Sequence, residues 1–148
     1  MSMNESQPRL IEGGLHVDFR GTVSFVNDFD FKGVDRFYTV RARRPHELRG
    51  WVGHQRDQKW FYAVHGTVLI SAVKPDQWEC PASSLPVERF VLSSETPQVL
   101  HVPSGFATGS VSLTDNAILM IFLSGRIEDA NTDDYRFPLD TWPIIESQ

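Results

Sequence analysis

The sequence predicts an all-β fold, closed as a sandwich or a barrel. Three observations carry this. Short runs rich in β-branched and aromatic residues recur at spacings of roughly ten residues. Turn-forming residues separate them, most clearly at Gly21, Gly66 and the step Pro103-Ser104-Gly105. Helical periodicity is weak throughout. At 148 residues the chain fits one domain with room for a real core.

Residues 1–13 read as a flexible start, and 14–148 as the folded unit with a packed C-terminal tail. Residues 15–19 alternate apolar and polar, and Arg20-Gly21 turns the chain into a second run at 22–26. Residues 37–41 form the next strand candidate. Residues 59–65 and 67–73 flank Gly66 and read as a hairpin. Residues 74–86 hold three prolines and read as a long connection. Strand candidates continue at 89–92, 99–102 and 117–123. Helical turns are expected at most over 28–34 and 85–89. The tail over 133–142 is rich in aromatics and is expected to pack back on the body.

Hydrophobic content of 41% and charged content of 22% are ordinary for a soluble domain. A net charge of −5 argues against nucleic acid as the main partner. Basic residues nevertheless cluster at Arg41, Arg43, Arg44, Arg49, Arg56 and Lys59, which suits a small anionic ligand. Cys80 is the only cysteine, so neither an intrachain disulfide nor a Cys-based zinc site can be built. No apolar leader opens the chain, and no apolar run approaches the roughly 20 residues that span a bilayer. A cytoplasmic protein with no membrane partner is expected.

The stretch from Arg49 to Gly66 carries most of the chemistry. It sets Arg49, His54, Arg56 and Lys59 among strand-forming residues. There is no Gly-x-Ser-x-Gly elbow and no Gly-rich phosphate loop. Proton transfer remains. Histidine is the side chain best matched to it near neutral pH, and a nearby lysine stabilises an enolate. His54 and Lys59 are the pair of choice. A surface histidine at a strand end has the same signature. An aromatic belt at Trp51, Trp60, Phe61, Tyr62 and Phe106 fits either core packing or stacking on a sugar or base.

Several of these stretches resemble the cupin nucleotide-sugar epimerases and ketoisomerases, enzymes built on a double-stranded β-helix (jelly-roll) barrel. They are Asp18-Phe19-Arg20-Gly21, Arg49-Gly50, Gln58-Lys59, Val64-His65-Gly66, Leu92-Ser93 and Val102-Pro103-Ser104-Gly105-Phe106-Ala107. The nearest groups are the dTDP-4-dehydrorhamnose 3,5-epimerases and the dTDP-4-keto-6-deoxyhexose 3,4-ketoisomerases. The resemblance implies a single cupin barrel and a nucleotide-sugar ligand used in deoxysugar or polysaccharide biosynthesis. It also implies a homodimer with strand exchange and chemistry without a cofactor. It makes His54 and Lys59 the catalytic residues. Arg20, Arg49, Tyr38 and Arg41 become substrate-binding residues by the resemblance, and Trp60 and Phe106 of the aromatic belt join the substrate-binding set as stacking residues.

The chain also departs from the pattern. Metal-binding cupins place two histidines one residue apart, then a carboxylate, then a further ligand after the Pro-x-Gly turn. Here those positions hold Val52 with His54, then Gln58 and Lys59, then Thr108, so no metal site is expected. Val52 also stands where these enzymes carry a histidine. Met120, Ile121 and Phe122 stand where the epimerases carry a tyrosine acid. The resemblance therefore leaves two readings: an isomerase or epimerase with a reduced acid–base set, or a non-catalytic relative that binds a sugar nucleotide.

Overall fold

The computed structural model describes residues 6–146. Its strands are β1 (Arg9–Glu12), β2 (Gly14–Asp18), β3 (Gly21–Phe25), β4 (Arg36–Arg41), β5 (Leu48–His54) and β6 (Lys59–His65). They continue as β7 (Thr67–Val73), β8 (Glu88–Ser93), β9 (Gln98–Val102), β10 (Phe106–Ser112), β11 (Ile118–Leu123) and β12 (Tyr135–Arg136). A 3-10 helix spans Ile127–Thr132. One five-stranded sheet has the order β1-β9-β6-β11-β4, and the second has the order β12-β5-β10-β7-β8. All pairings are antiparallel. The non-sequential order is that of a jelly roll.

Strand alternation decides what fills the space between the sheets. Phe61 and Ala63 of β6, Leu100 of β9 and Leu119, Ile121 and Leu123 of β11 point inward from the first sheet. Val68, Ile70 and Ala72 of β7, with Leu92 and Phe106, meet them from the second. Burial of each Val, Leu, Ile or Phe among them stabilises the fold by about 1.5–3 kcal/mol. Gly66 closes the β6–β7 hairpin at φ 76°, a left-handed conformation that glycine adopts without steric cost.

Each outer face has its own cover. The tail lies on the second sheet, where Trp51, Val73, Ala107 and Val111 pack with Trp142 and Ile144. Trp51 Nε1 donates to the Trp142 carbonyl at 3.0 Å, and Ser71 Oγ to the Ile144 carbonyl at 2.6 Å. Trp142 and Ile144 thus lie buried against the outer face of this sheet. On the first sheet, Ile11, Trp60 and Val99 pack under Val26, Phe29 and Val34.

The expected flexible start needs correction over part of its length. Arg9–Glu12 pairs with β9, from Arg9 opposite His101 to Glu12 opposite Gln98. A completed sheet edge satisfies backbone groups that the local sequence gives no reason to order. The remainder of that expectation, over residues 1–5, lies outside the described residues. Residues 28–34 and 85–89 form turns and extended chain rather than helical turns. β2 and β3 form a separate two-stranded ribbon joined to neither large sheet.

Candidate functional site

The cleft lies between the sheets at the end where β5 stops and β6 begins. Lys59 is the first residue of β6 and points inward with Phe61. Only 7% of it is exposed. Burial brings its ammonium down to a pKa of about 8, against Asp134 and Asp57, whose charges pull the other way. An inner chamber of about 80 Å³ is lined by Tyr38, Arg49, Val52, Lys59, Thr108 and Ile121, among others. A mouth of about 250 Å³ shares Tyr38, Arg49, Val52 and Lys59 with it and adds Arg36, His54, Asp57, Asp134 and Arg136.

His54 ends β5 and faces the mouth. Its Nδ1 stands 2.6 Å from the carbonyl oxygen of Asp133, an atom that can only accept. Nδ1 therefore carries the hydrogen and donates it. Burial, then the charge of Lys59, holds the ring below its ordinary pKa, so it is neutral at pH 7. In this tautomer Nε2 holds the lone pair. It is buried and has no hydrogen-bond partner among the described residues. A neutral imidazole with its basic nitrogen free is a proton acceptor in waiting.

Tyr38 sits on β4 directly opposite Ile121 of β11. Desolvation raises its phenol pKa, so it stays protonated at neutral pH. Arg36, two residues earlier on the same face, donates Nε–H to the Gly125 carbonyl at 3.0 Å. Arg136 enters from β12, opposite Val52. Arg36, Arg49 and Arg136 around Lys59 make the mouth cationic despite Asp57 and Asp134, which suits an anionic ligand.

His54, Asp57 and Asp133 bring a ring nitrogen and carboxylate oxygens within 4.8 Å of one another. Backbone N–H groups already occupy the Asp133 carboxylate: Gln55 at 2.7 Å, Arg56 at 3.0 Å and Asp57 at 2.9 Å. The donor set therefore serves the turn rather than a cation.

The structure brings together His54, Lys59, Arg49 and Tyr38 from the sequence-derived set. It does not bring in the other four. Arg20 lies at the tip of the β2–β3 ribbon, exposed and paired with Asp18 at 2.7 Å. Arg41 is three residues from Tyr38 on the same strand, so alternation turns it to the outer face. Trp60 follows Lys59 and points the opposite way, stacked on His101 with centroids 5.0 Å apart. Phe106 is buried in the apolar core. Arg36, Asp57, Asp133, Asp134 and Arg136 were not singled out. Their signal was faint: Arg36 opens β4 and Asp57 lies in the β5–β6 turn, while Asp133, Asp134 and Arg136 are charges beside aromatics in the tail, brought home by β12 pairing with β5.

No protein-family model and no curated protein matches the sequence. Solved structures do match its fold. The dTDP-4-dehydrorhamnose 3,5-epimerase of Bacillus anthracis str. Ames, with TDP and PPi bound, superposes at TM-score 0.71 and 19% identity. That match covers 90% of this chain and 80% of the other. QdtA, a sugar 3,4-ketoisomerase from Thermoanaerobacterium thermosaccharolyticum in complex with TDP, gives 0.67 and 17%, covering 91% of each chain. ChmJ, a 3'-monoepimerase from Streptomyces bikiniensis in complex with dTDP-quinovose, gives 0.72 and 21%, covering 90% and 71%. The fold is theirs. It is the cupin barrel of the nucleotide-sugar epimerases and ketoisomerases, as the resemblance implied. No helix among the described residues is long and apolar enough to cross a membrane.

Proposed function

We propose that this chain is a nucleotide-sugar isomerase or epimerase acting on a 4-keto-6-deoxyhexose by side-chain proton transfer. One observation carries the reading: a half-buried, neutral His54, whose buried Nε2 has no hydrogen-bond partner among the described residues, shares a cleft with a buried Lys59. The proton beside the ketone moves to His54 Nε2. The C–H electron pair becomes the enolate double bond, and charge gathers on the former keto oxygen. The Lys59 ammonium stabilises that oxygen. For an isomerase, the C3 hydroxyl proton passes to the C4 oxygen and His54 delivers its proton to C4, which leaves the ketone at C3; for an epimerase, the carbon takes a proton from solvent on the opposite face and His54 gives its own up to solvent. Arg49, Arg36 and Arg136 bind the diphosphate, and Tyr38 lies against the sugar. Neighbours of the same fold hold TDP or dTDP-quinovose, which supports the ligand class.

The ribbon supports a homodimer. Val17 and Val23 are largely exposed, and Phe19 is 97% exposed, on a two-stranded element bonded to neither sheet. Isolated ribbons are marginal in water. A second copy covers this surface, and Arg20 travels with the ribbon towards the second copy.

Solvent deuterium incorporation tests the activity. The protein is incubated in D2O with a dTDP-4-keto-6-deoxyhexose and followed by NMR. Exchange at C3 or C5 that disappears in His54→Gln is expected. A second reading rests on Val52, Leu119 and Ile121, which line the chamber and cannot move protons. It makes the chain a binding relative, and ligand-induced shifts without exchange would select it.

A further inference from the structure

His54 and the turn that follows it make four hydrogen bonds to one residue, Asp133, 79 positions beyond His54. Asp133 is 2% exposed, among the most deeply buried polar residues described. A buried carboxylate is costly unless hydrogen bonds satisfy it. Three consecutive backbone N–H groups, of Gln55, Arg56 and Asp57, do so at 2.7, 3.0 and 2.9 Å. The same residue turns its main-chain carbonyl to His54 Nδ1 at 2.6 Å. The two grips are coupled. The carboxylate fixes where residue 133 sits against the turn, and so fixes where its carbonyl meets the ring.

The connection has a chemical consequence. An imidazole free to choose its tautomer divides its hydrogen between two nitrogens, and only one of the two forms leaves Nε2 basic. A ring free to rotate also spreads that nitrogen over several positions. Asp133 removes both freedoms. Among the described residues, the Asp133 carbonyl is the hydrogen-bond partner of Nδ1. Asp133 also joins the 3-10 helix (Ile127–Thr132) to β12, and that segment supplies Ile127, Ala130, Asn131, Asp134 and Arg136 to the mouth.

We infer that Asp133 is the positioning residue for His54: its carbonyl holds the ring as the Nδ1–H tautomer and its carboxylate anchors that carbonyl, leaving Nε2 to accept the proton. As a statement about catalysis this rests on His54 acting as the base. The tautomer can be measured without any substrate.

Nitrogen-15 NMR of histidine-labelled full-length protein near neutral pH reads it directly, with His54 assigned by its loss in His54→Gln. The wild type is expected to show one tautomer, protonated at Nδ1 and bare at Nε2. Asp133→Asn keeps the size of the side chain but loses its charge and one acceptor. It is expected to give averaged nitrogen shifts in a chain whose core methyl spectrum is unchanged. In the exchange assay its kcat falls by about 10-fold or more while KM moves by less than about 2-fold. A wild-type ring protonated at Nε2 overturns the inference. So does a folded Asp133→Asn, or the milder Asp133→Glu, with an unaltered ring spectrum and kcat. If the wild type exchanges no sugar proton, the function reading fails, and the ring spectra still decide whether Asp133 sets the tautomer.

Discussion

Lys59 is an ammonium held in a narrow chamber and nearly shut off from solvent, and that desolvation works against folding. Its pKa of about 8 lies below the ordinary 10.5, so the unfolded chain binds the proton more tightly. The cost is full below pH 8 and fades as pH rises from 8 towards 10.5. The shift corresponds to about 3 kcal/mol. Lys59→Met is therefore expected to stabilise the fold at pH 7 by ~1–3 kcal/mol and to abolish exchange. Urea unfolding at neutral and alkaline pH checks this, and the gap between variant and wild type should narrow at alkaline pH. His54 is also shifted downward from 6.5, so exchange should rise with pH through a midpoint below 6.5. It should fall again near pH 8 as Lys59 loses its charge. A profile of kcat/KM against pH that stays flat across this window would remove both groups from the reaction. His54 and Lys59 were legible as a pair from residue type and spacing. Asp133 was not, because a buried aspartate and a solvated one look alike in sequence.

Strands explain most of what was read well and part of what was read badly. The β6–β7 hairpin follows from two alternating runs around Gly66, and its φ of 76° shows why glycine stands there. A Cβ at that position would also press on Thr114 Oγ1 and lie 3.1 Å from Ala117 Cα. Gly66→Ala should therefore lower the urea midpoint by an amount equivalent to about 1–3 kcal/mol, without changing the mouth residues. Alternation also separates residues that the resemblance groups together. Once Lys59 lines the chamber, its neighbour Trp60 must face outward, and Arg41 cannot share a face with Tyr38. β1 and β12 were missed for a different reason. Each is short, at four and two residues, and is ordered by the sheet edge it completes.

At the scale of the molecule, two sheets enclose the core while the ribbon of β2 and β3 stands apart. Its exposed Val17, Phe19 and Val23 form a surface that a stable monomer has little reason to keep. Light scattering on a sizing column is expected to give twice the chain mass of 16.8 kDa. Replacing Val17 and Val23 by aspartate should return the mass to that of one chain while the barrel still melts cooperatively. A wild-type protein that elutes as a monomer at high concentration would leave Arg20 without a role in any cleft.

The sequence by itself determined the all-β class, the succession of most strands and the pairing of His54 with Lys59. These rest on local physics: period-two alternation, turn chemistry and the few residue types that move protons near neutral pH. Tertiary structure alone decided which charges meet. It set Asp133 against His54 across 79 residues and brought Arg36 and Arg136 to the mouth. It also left Arg20, Arg41, Trp60 and Phe106 elsewhere. Those outcomes depend on sheet order and on the path of the tail, and neither is written in the spacing of residues along the chain.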